Sequence, residues 1–169
     1  MSFKSWCKEF FPKAPSSAMT KSAASHHAMR KWIGVRAYNV ERHCLVREGF
    51  MISDGSGTAF LYLASESCAL CCINLACGTC TLYKVQGFAC GRTMSPYEQA
   101  TKRNPDVEPL IKALTKAYRN DLREKRKVEK CRTQKKSPAK RSKLGSTNAQ
   151  VSAQQCSGAE SNPITKTQV

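Results

Sequence analysis

The chain has 169 residues, room for one domain of ordinary size, with 28 Lys and Arg against 12 Asp and Glu, and ten cysteines. A net charge of +16 favours polyanionic partners, RNA or DNA or an anionic membrane surface. No basic-then-apolar leader opens the chain in MSFKSWCKEFFPKAPSSA, so an intracellular protein of the nucleus or cytoplasm is expected, and its cysteines are not expected to build a disulfide framework.

Phe3, Trp6, Cys7, Phe10 and Phe11 recur at three- and four-residue steps, which predicts a short amphipathic helix stopped by Pro12. So short a helix must order against the domain, a partner or a membrane surface. Pro12 to His27 carries Ser, Ala and Pro without an apolar period and reads as a linker, making residues 1–28 a segment outside the domain. His26 and His27 would then be solvated.

From Met29 onward, WIGVRAYNV, CLVREGFMIS and TAFLYLA are rich in branched and aromatic residues and read as strands. Turns at Glu48-Gly49 and Asp54-Gly55-Ser56-Gly57 divide them, and TLYKVQG reads as a further strand. Residues 29–94 are thus expected to be a small β-rich domain with a cysteine cluster. Gly55 to Tyr83 contains one formal charge, Glu66, yet its uncharged part from Ser67 onward is shorter than the roughly twenty apolar residues a membrane span needs.

Ser95-Pro96-Tyr97-Glu98 has the capping serine, first-turn proline and third-position acid of a helix start, and Asn104-Pro105-Asp106 is a second such start. Downstream, Val107, Leu110, Ile111, Leu114, Tyr118 and Leu122 form one apolar stripe, while Lys112, Lys116, Arg119, Arg123, Arg126 and Lys130 recur on the opposite face. Residues 95–131 therefore read as a helical basic arm and 132–169 as a disordered basic and polar tail. The expected class is α+β: a small antiparallel sheet, a cysteine-rich segment and a long C-terminal amphipathic, basic helix.

Six of the ten cysteines lie between Cys68 and Cys90. Cys77-Gly78-Thr79-Cys80 and Cys68-Ala69-Leu70-Cys71 both have the two-residue spacing of thiolates that curl round one zinc ion. The candidate ligands are Cys77, Cys80 and Cys90 with one of Cys71, Cys72, Cys68 or His43. Two other readings stay open beside zinc. Acylation of Cys68, Cys71 and Cys72 next to a polybasic segment would anchor the chain to a membrane. Alternatively the thiols are small hydrophobes in a core. No catalytic constellation is legible: His43 and Cys44 are adjacent and would point to opposite faces of a strand.

Fourteen basic residues against three acidic ones span Lys112 to Lys143. The candidate nucleic-acid contacts are Lys112, Lys116, Arg119, Arg123, Lys125, Arg126, Lys127, Lys130, Arg132, Lys135, Lys136, Lys140, Arg141 and Lys143, which would bind phosphates with little base selectivity. Tyr83, Phe88, Tyr97 and Tyr118 are candidates for stacking on unpaired bases. The terminal Lys166-Thr167-Gln168-Val169 has the form of a PDZ ligand, with Thr167 and Val169 as its anchors.

The cysteine cluster with Cys-Gly at Cys77-Gly78 and again at Cys90-Gly91, followed by a basic helical arm, resembles the small cysteine-rich accessory proteins of plant RNA viruses. That resemblance implies a nucleic-acid-binding regulator of the silencing-suppressor type. It covers about Cys68 to Cys131 and departs from the family pattern after the second Cys-Gly, where Arg92-Thr93-Met94 stands in place of a histidine. The expectation is a non-enzymatic nucleic-acid-binding regulator, the alternative a peripheral membrane adaptor with a PDZ partner.

Overall fold

The computed structural model describes residues 2–102 and 106–136. Helix α1 (Phe3–Phe10) forms as its spacing predicts, with a reciprocal cap: Ser2 N donates to Ser5 Oγ at 2.9 Å and Ser5 N to Ser2 Oγ at 3.4 Å. Trp6 and Phe10 are buried beneath it. The surface that orders this helix is the chain itself, so its apolar face is spent internally.

Pro12 to His27 is not a structureless linker. Helix α2 (Lys21–Gly34) starts within it, capped by Thr20, whose hydroxyl accepts from Ala23 N at 3.3 Å. The alanines that looked like linker composition are strong helix formers, and Ala24, Ala28, Trp32 and Val35 supply a buried row at helical spacing. A lysine on the same face, Lys31, masks that row in the sequence. Accordingly His27 is buried, with Nε2 at 2.8 Å from Lys13 O and its ring edge-on to Phe11, and burial lowers its pKa. His26 stays exposed and lies against Tyr118.

WIGVRAYNV is likewise helical, divided between the end of α2 and α3 (Ala37–Arg42). The chain turns there on Gly34. A Cβ at this position would lie 2.5 Å from Phe10 Cγ, and Trp6 Nε1 donates to Gly34 O at 2.8 Å, so α1 seats directly on the glycine. Gly34→Ala is expected to lower stability by about 1–3 kcal/mol through overpacking, despite alanine's better helix propensity; the urea midpoint reads it.

The remaining strand expectations hold around the glycine turns. β1 (Val46–Glu48), β2 (Met51–Ser53) and β3 (Phe60–Tyr62) make a three-stranded antiparallel sheet in the order β1-β2-β3. Gly49, at φ +53°, permits the first tight turn between the Glu48↔Met51 pair. In the second, Asp54 accepts from Ser56 N at 3.0 Å and Thr58 Oγ1 at 2.9 Å. Ile52 faces inward and is fully buried.

Helix α4 (Ala69–Ile73) follows, and TLYKVQG is helix α5 (Thr81–Gln86) rather than a strand. Gly87, left-handed at φ +80°, ends α5 by donating to Tyr83 O at 2.7 Å, the helix C-cap that its glycine foreshadows. Helix α6 (Pro96–Ala100) begins at Ser95 as expected, with Glu98 N donating to Ser95 Oγ at 3.0 Å. Helix α7 (Glu108–Lys136) is longer than the sequence suggests and runs past Cys131. The mixed α+β class is therefore observed, with α1 and α2 packed into the same compact unit as the sheet.

Candidate functional site

Two features of this unit carry chemistry: the outer face of α7 and a cavity lined by cysteines. Val107 just before α7 and Leu110, Ile111, Leu114 and Ala117 along it are buried, and Asp121 continues the same stripe. At about 100° per residue, Lys112, Lys116, Arg119, Arg123, Arg126 and Lys130 lie within about 40° of one line diametrically opposite that stripe. All six are exposed. Lys125, Lys127 and Arg132 are exposed as well, and every described side chain from Arg123 to Gln134 is open to solvent, so this part of the helix offers charge all round. Its length is about 18 Å at 1.5 Å per residue. A phosphate chain meets few acids there: Glu124 and Glu129 are exposed, Glu129 already lying 3.9 Å from Lys125 Nζ, while Asp121 is buried. The side chains of Lys135 and Lys136, together with Lys140, Arg141, Lys143, Thr167 and Val169, lie outside the described residues.

Asp121 was not legible as anything but one acid among many bases. Its carboxylate accepts from Ser25 Oγ of α2 at 2.5 Å and from Thr81 Oγ1 of α5 at 3.0 Å, locking three helices behind the basic face. An acid placed on an apolar stripe is the signal that would have found it.

The cavity, about 420 Å³, opens to solvent between α2, α4, α5, α6 and α7 and is largely apolar. Cys68, Cys71, Cys77, Cys80 and Cys90 line it, with Trp32, Tyr83, Tyr97 and Leu114. The cysteines thus share one cavity but come from three segments of chain, Cys68 and Cys71 at the start of α4, Cys77 and Cys80 just before α5, and Cys90 after it. No group of three or more His, Cys, Asp or Glu side chains among the described residues is placed to hold a metal ion. Cys72 turns aside, with Sγ 3.9 Å from Glu66 O. His43 belongs to another part of the molecule: it is buried, its Nδ1 2.8 Å from Ser5 Oγ and its Nε2 3.1 Å from Glu9 Oε2. It tethers α1 to the end of α3, and the expected ligand set loses it. Ser5, His43 and Glu9 stand in the sequence of a hydrolytic triad, but the Ser5 hydroxyl already donates to Ser2 O at 2.7 Å within the helix cap.

The cavity wall is electrostatically uneven. Lys31 is fully buried, and its ammonium donates to Ser67 O and Ser67 Oγ, each at 2.9 Å. No carboxylate lies within ion-pair distance of it among the described residues. Desolvation lowers its pKa, and the Cys68 sulfur is the foremost group opposing that fall. Cys68 is drawn well below the ordinary thiol range by the Cys71 thiol donating to its sulfur, with Lys31 and the backbone N–H groups of Cys71 and Leu70 assisting. Cys71 correspondingly holds its proton, while burial raises Cys80 and pushes Cys90 up to about 12.

The aromatic residues open to a base are not those the sequence suggested. Tyr83, Phe88, Tyr97 and Tyr118 are half-buried, Tyr97 with its hydroxyl donating to Leu63 O at 2.7 Å and its ring against Trp32. Phe50, Phe60 and Tyr62 are exposed instead, the last two edge-to-face at 5.3 Å on the outer side of β3. Their alternation with Leu61 and Leu63 is the period-two pattern that could have identified them. No helix among the described residues is long and apolar enough to cross a membrane. No protein-family model, no curated protein and no solved structure matches this chain.

Proposed function

We propose that this protein is a non-enzymatic regulator that binds RNA or DNA through the outer face of α7, acting inside the cell in the nucleus or cytoplasm. The observation that carries this reading is the alignment of six exposed cations on one line of α7, opposite a buried stripe that fixes the helix to the body. Such a row neutralises successive phosphates, releases their counterions and reads no sequence by itself. The exposed pair Phe60 and Tyr62 adds a surface on which unpaired bases could stack, favouring single strands. The resemblance to cysteine-rich viral accessory proteins supports the same class and suggests interference with RNA silencing.

The membrane-adaptor alternative draws less support. Its amphipathic N-terminal helix buries Trp6 and Phe10 in the chain itself, and Cys68 and Cys71 line the cavity. Titration of single- and double-stranded RNA at several salt concentrations tests the nucleic-acid reading. The expected plot of log affinity against log salt falls with a slope of about −4, six contacts at roughly 0.7 each. Absence of binding, or affinity indifferent to salt, contradicts it.

A further inference from the structure

We propose that the cavity between α2, α4, α5, α6 and α7 binds a neutral, flat, mainly aromatic small molecule carrying one hydrogen-bond donor. Its volume of about 420 Å³ lies within the roughly 300–1,000 Å³ of small-molecule sites. Protein interiors hold few voids larger than a water molecule. Leu70, Leu82, Leu110 and Leu114 all face this one, and a bound molecule restores the dispersion contacts that their open sides forfeit.

Charge narrows the ligand class first. No Lys, Arg, His, Asp or Glu side chain stands among the described residues that line the cavity. The buried Lys31 ammonium is held by Ser67 O and Ser67 Oγ, each at 2.9 Å, and is not part of the lining. An ion entering here loses its hydration and gains no partner, so charged ligands are disfavoured. Nucleotides are disfavoured with them, which sets this site apart from polyanion docking on α7.

Shape and polarity narrow it further. The rings of Trp32 and Tyr97 meet edge-to-face, with centroids 5.8 Å apart and an interplanar angle of 80°, and form a corner that suits a flat ring system. Tyr97 has already committed its hydroxyl to Leu63 O at 2.7 Å. The cysteine sulfurs add polarisable surface, which favours an aromatic ring over an alkyl chain. Among the few polar groups of the lining, Asn74 donates from Nδ2 to Leu70 O at 2.6 Å, and its amide oxygen remains as an acceptor for a ligand N–H or O–H.

Titrating the reduced full-length protein with N-phenylnaphthylamine, a neutral aromatic amine whose emission rises in apolar surroundings, tests the proposal. Saturable enhancement with a single class of site and a micromolar dissociation constant is expected. Ala76→Trp places a large side chain at an exposed lining position, and Ala28→Leu fills the cavity from α2; each should weaken the dye about tenfold or more. Because Ala76 is exposed, the first variant should melt with the parent and decides the matter even where the second fails to fold. Naphthalenemethanol should displace the dye about tenfold better than its anionic counterpart naphthoate, and better than decanol. Enhancement that never saturates, or that survives Ala76→Trp in normally folded protein, would overturn the proposal, as would displacement by naphthoate or decanol as readily as by naphthalenemethanol. The titration contains no nucleic acid, so its outcome is independent of the reading of α7.

Discussion

Replacing Arg119, Arg123, Arg126 and Lys130 together with glutamine is expected to weaken binding to single-stranded RNA about 100-fold at about 0.15 M salt, and to flatten the salt slope by about 3. Each lost phosphate contact removes its share of counterion release, and at that salt four such shares amount to about two decades. These four side chains are exposed on the face away from the core, so the melting temperature should barely move. Fluorescence anisotropy with a labelled oligonucleotide and a thermal melt read the two quantities on the same preparation. An unchanged affinity in a normally folded variant would place the nucleic-acid contact elsewhere.

Asp121→Ala is expected to cost about 3 kcal/mol, roughly 10 °C in melting temperature for a unit of this size. The carboxylate is 3% exposed and accepts from two hydroxyls on different helices, Ser25 on α2 and Thr81 on α5. Hydrogen bonds to a charged acceptor contribute about 1.5–3 kcal/mol each, and removing this one strands both donors in a dry interior. Asp121→Asn retains one acceptor oxygen and should fall between parent and alanine variant. A loss below about 0.5 kcal/mol for the alanine variant, measured by urea unfolding, would mean the joint between α2, α5 and α7 does not depend on this residue.

Period carried more information than composition in this chain. The α7 stripe and its opposed basic row were legible because helical spacing repeats over several turns, and the hairpins were legible because Gly49, Gly55 and Gly57 permit the positive φ their turns use. Composition misled where a helix is short or buried on an unusual face. WIGVRAYNV and TLYKVQG look like strands by residue type, yet tertiary packing of Trp32, Val35 and Leu82 makes them helical. In α2 the buried row is small, and Lys31 breaks its apolar character. That lysine and Asp121 are both core residues of the wrong polarity, and each is explained only by partners distant in sequence: Ser67 and Cys68 for one, Ser25 and Thr81 for the other. Five of the six clustered cysteines, Cys68, Cys71, Cys77, Cys80 and Cys90, line one cavity, but spacing along the chain does not reveal that no three of them are placed to hold a metal ion among the described residues.

Lysine footprinting tests the central claim most directly: the intact protein is labelled with an amine-reactive reagent in the presence and absence of RNA, and each site is quantified by mass spectrometry. Lys112, Lys116 and Lys130 on the basic row of α7 should lose reactivity on binding, while the exposed Lys4 and Lys8 on α1 should keep theirs. Protection confined to α1, or absent from α7 at saturating RNA, would contradict a docking surface built on the basic helix.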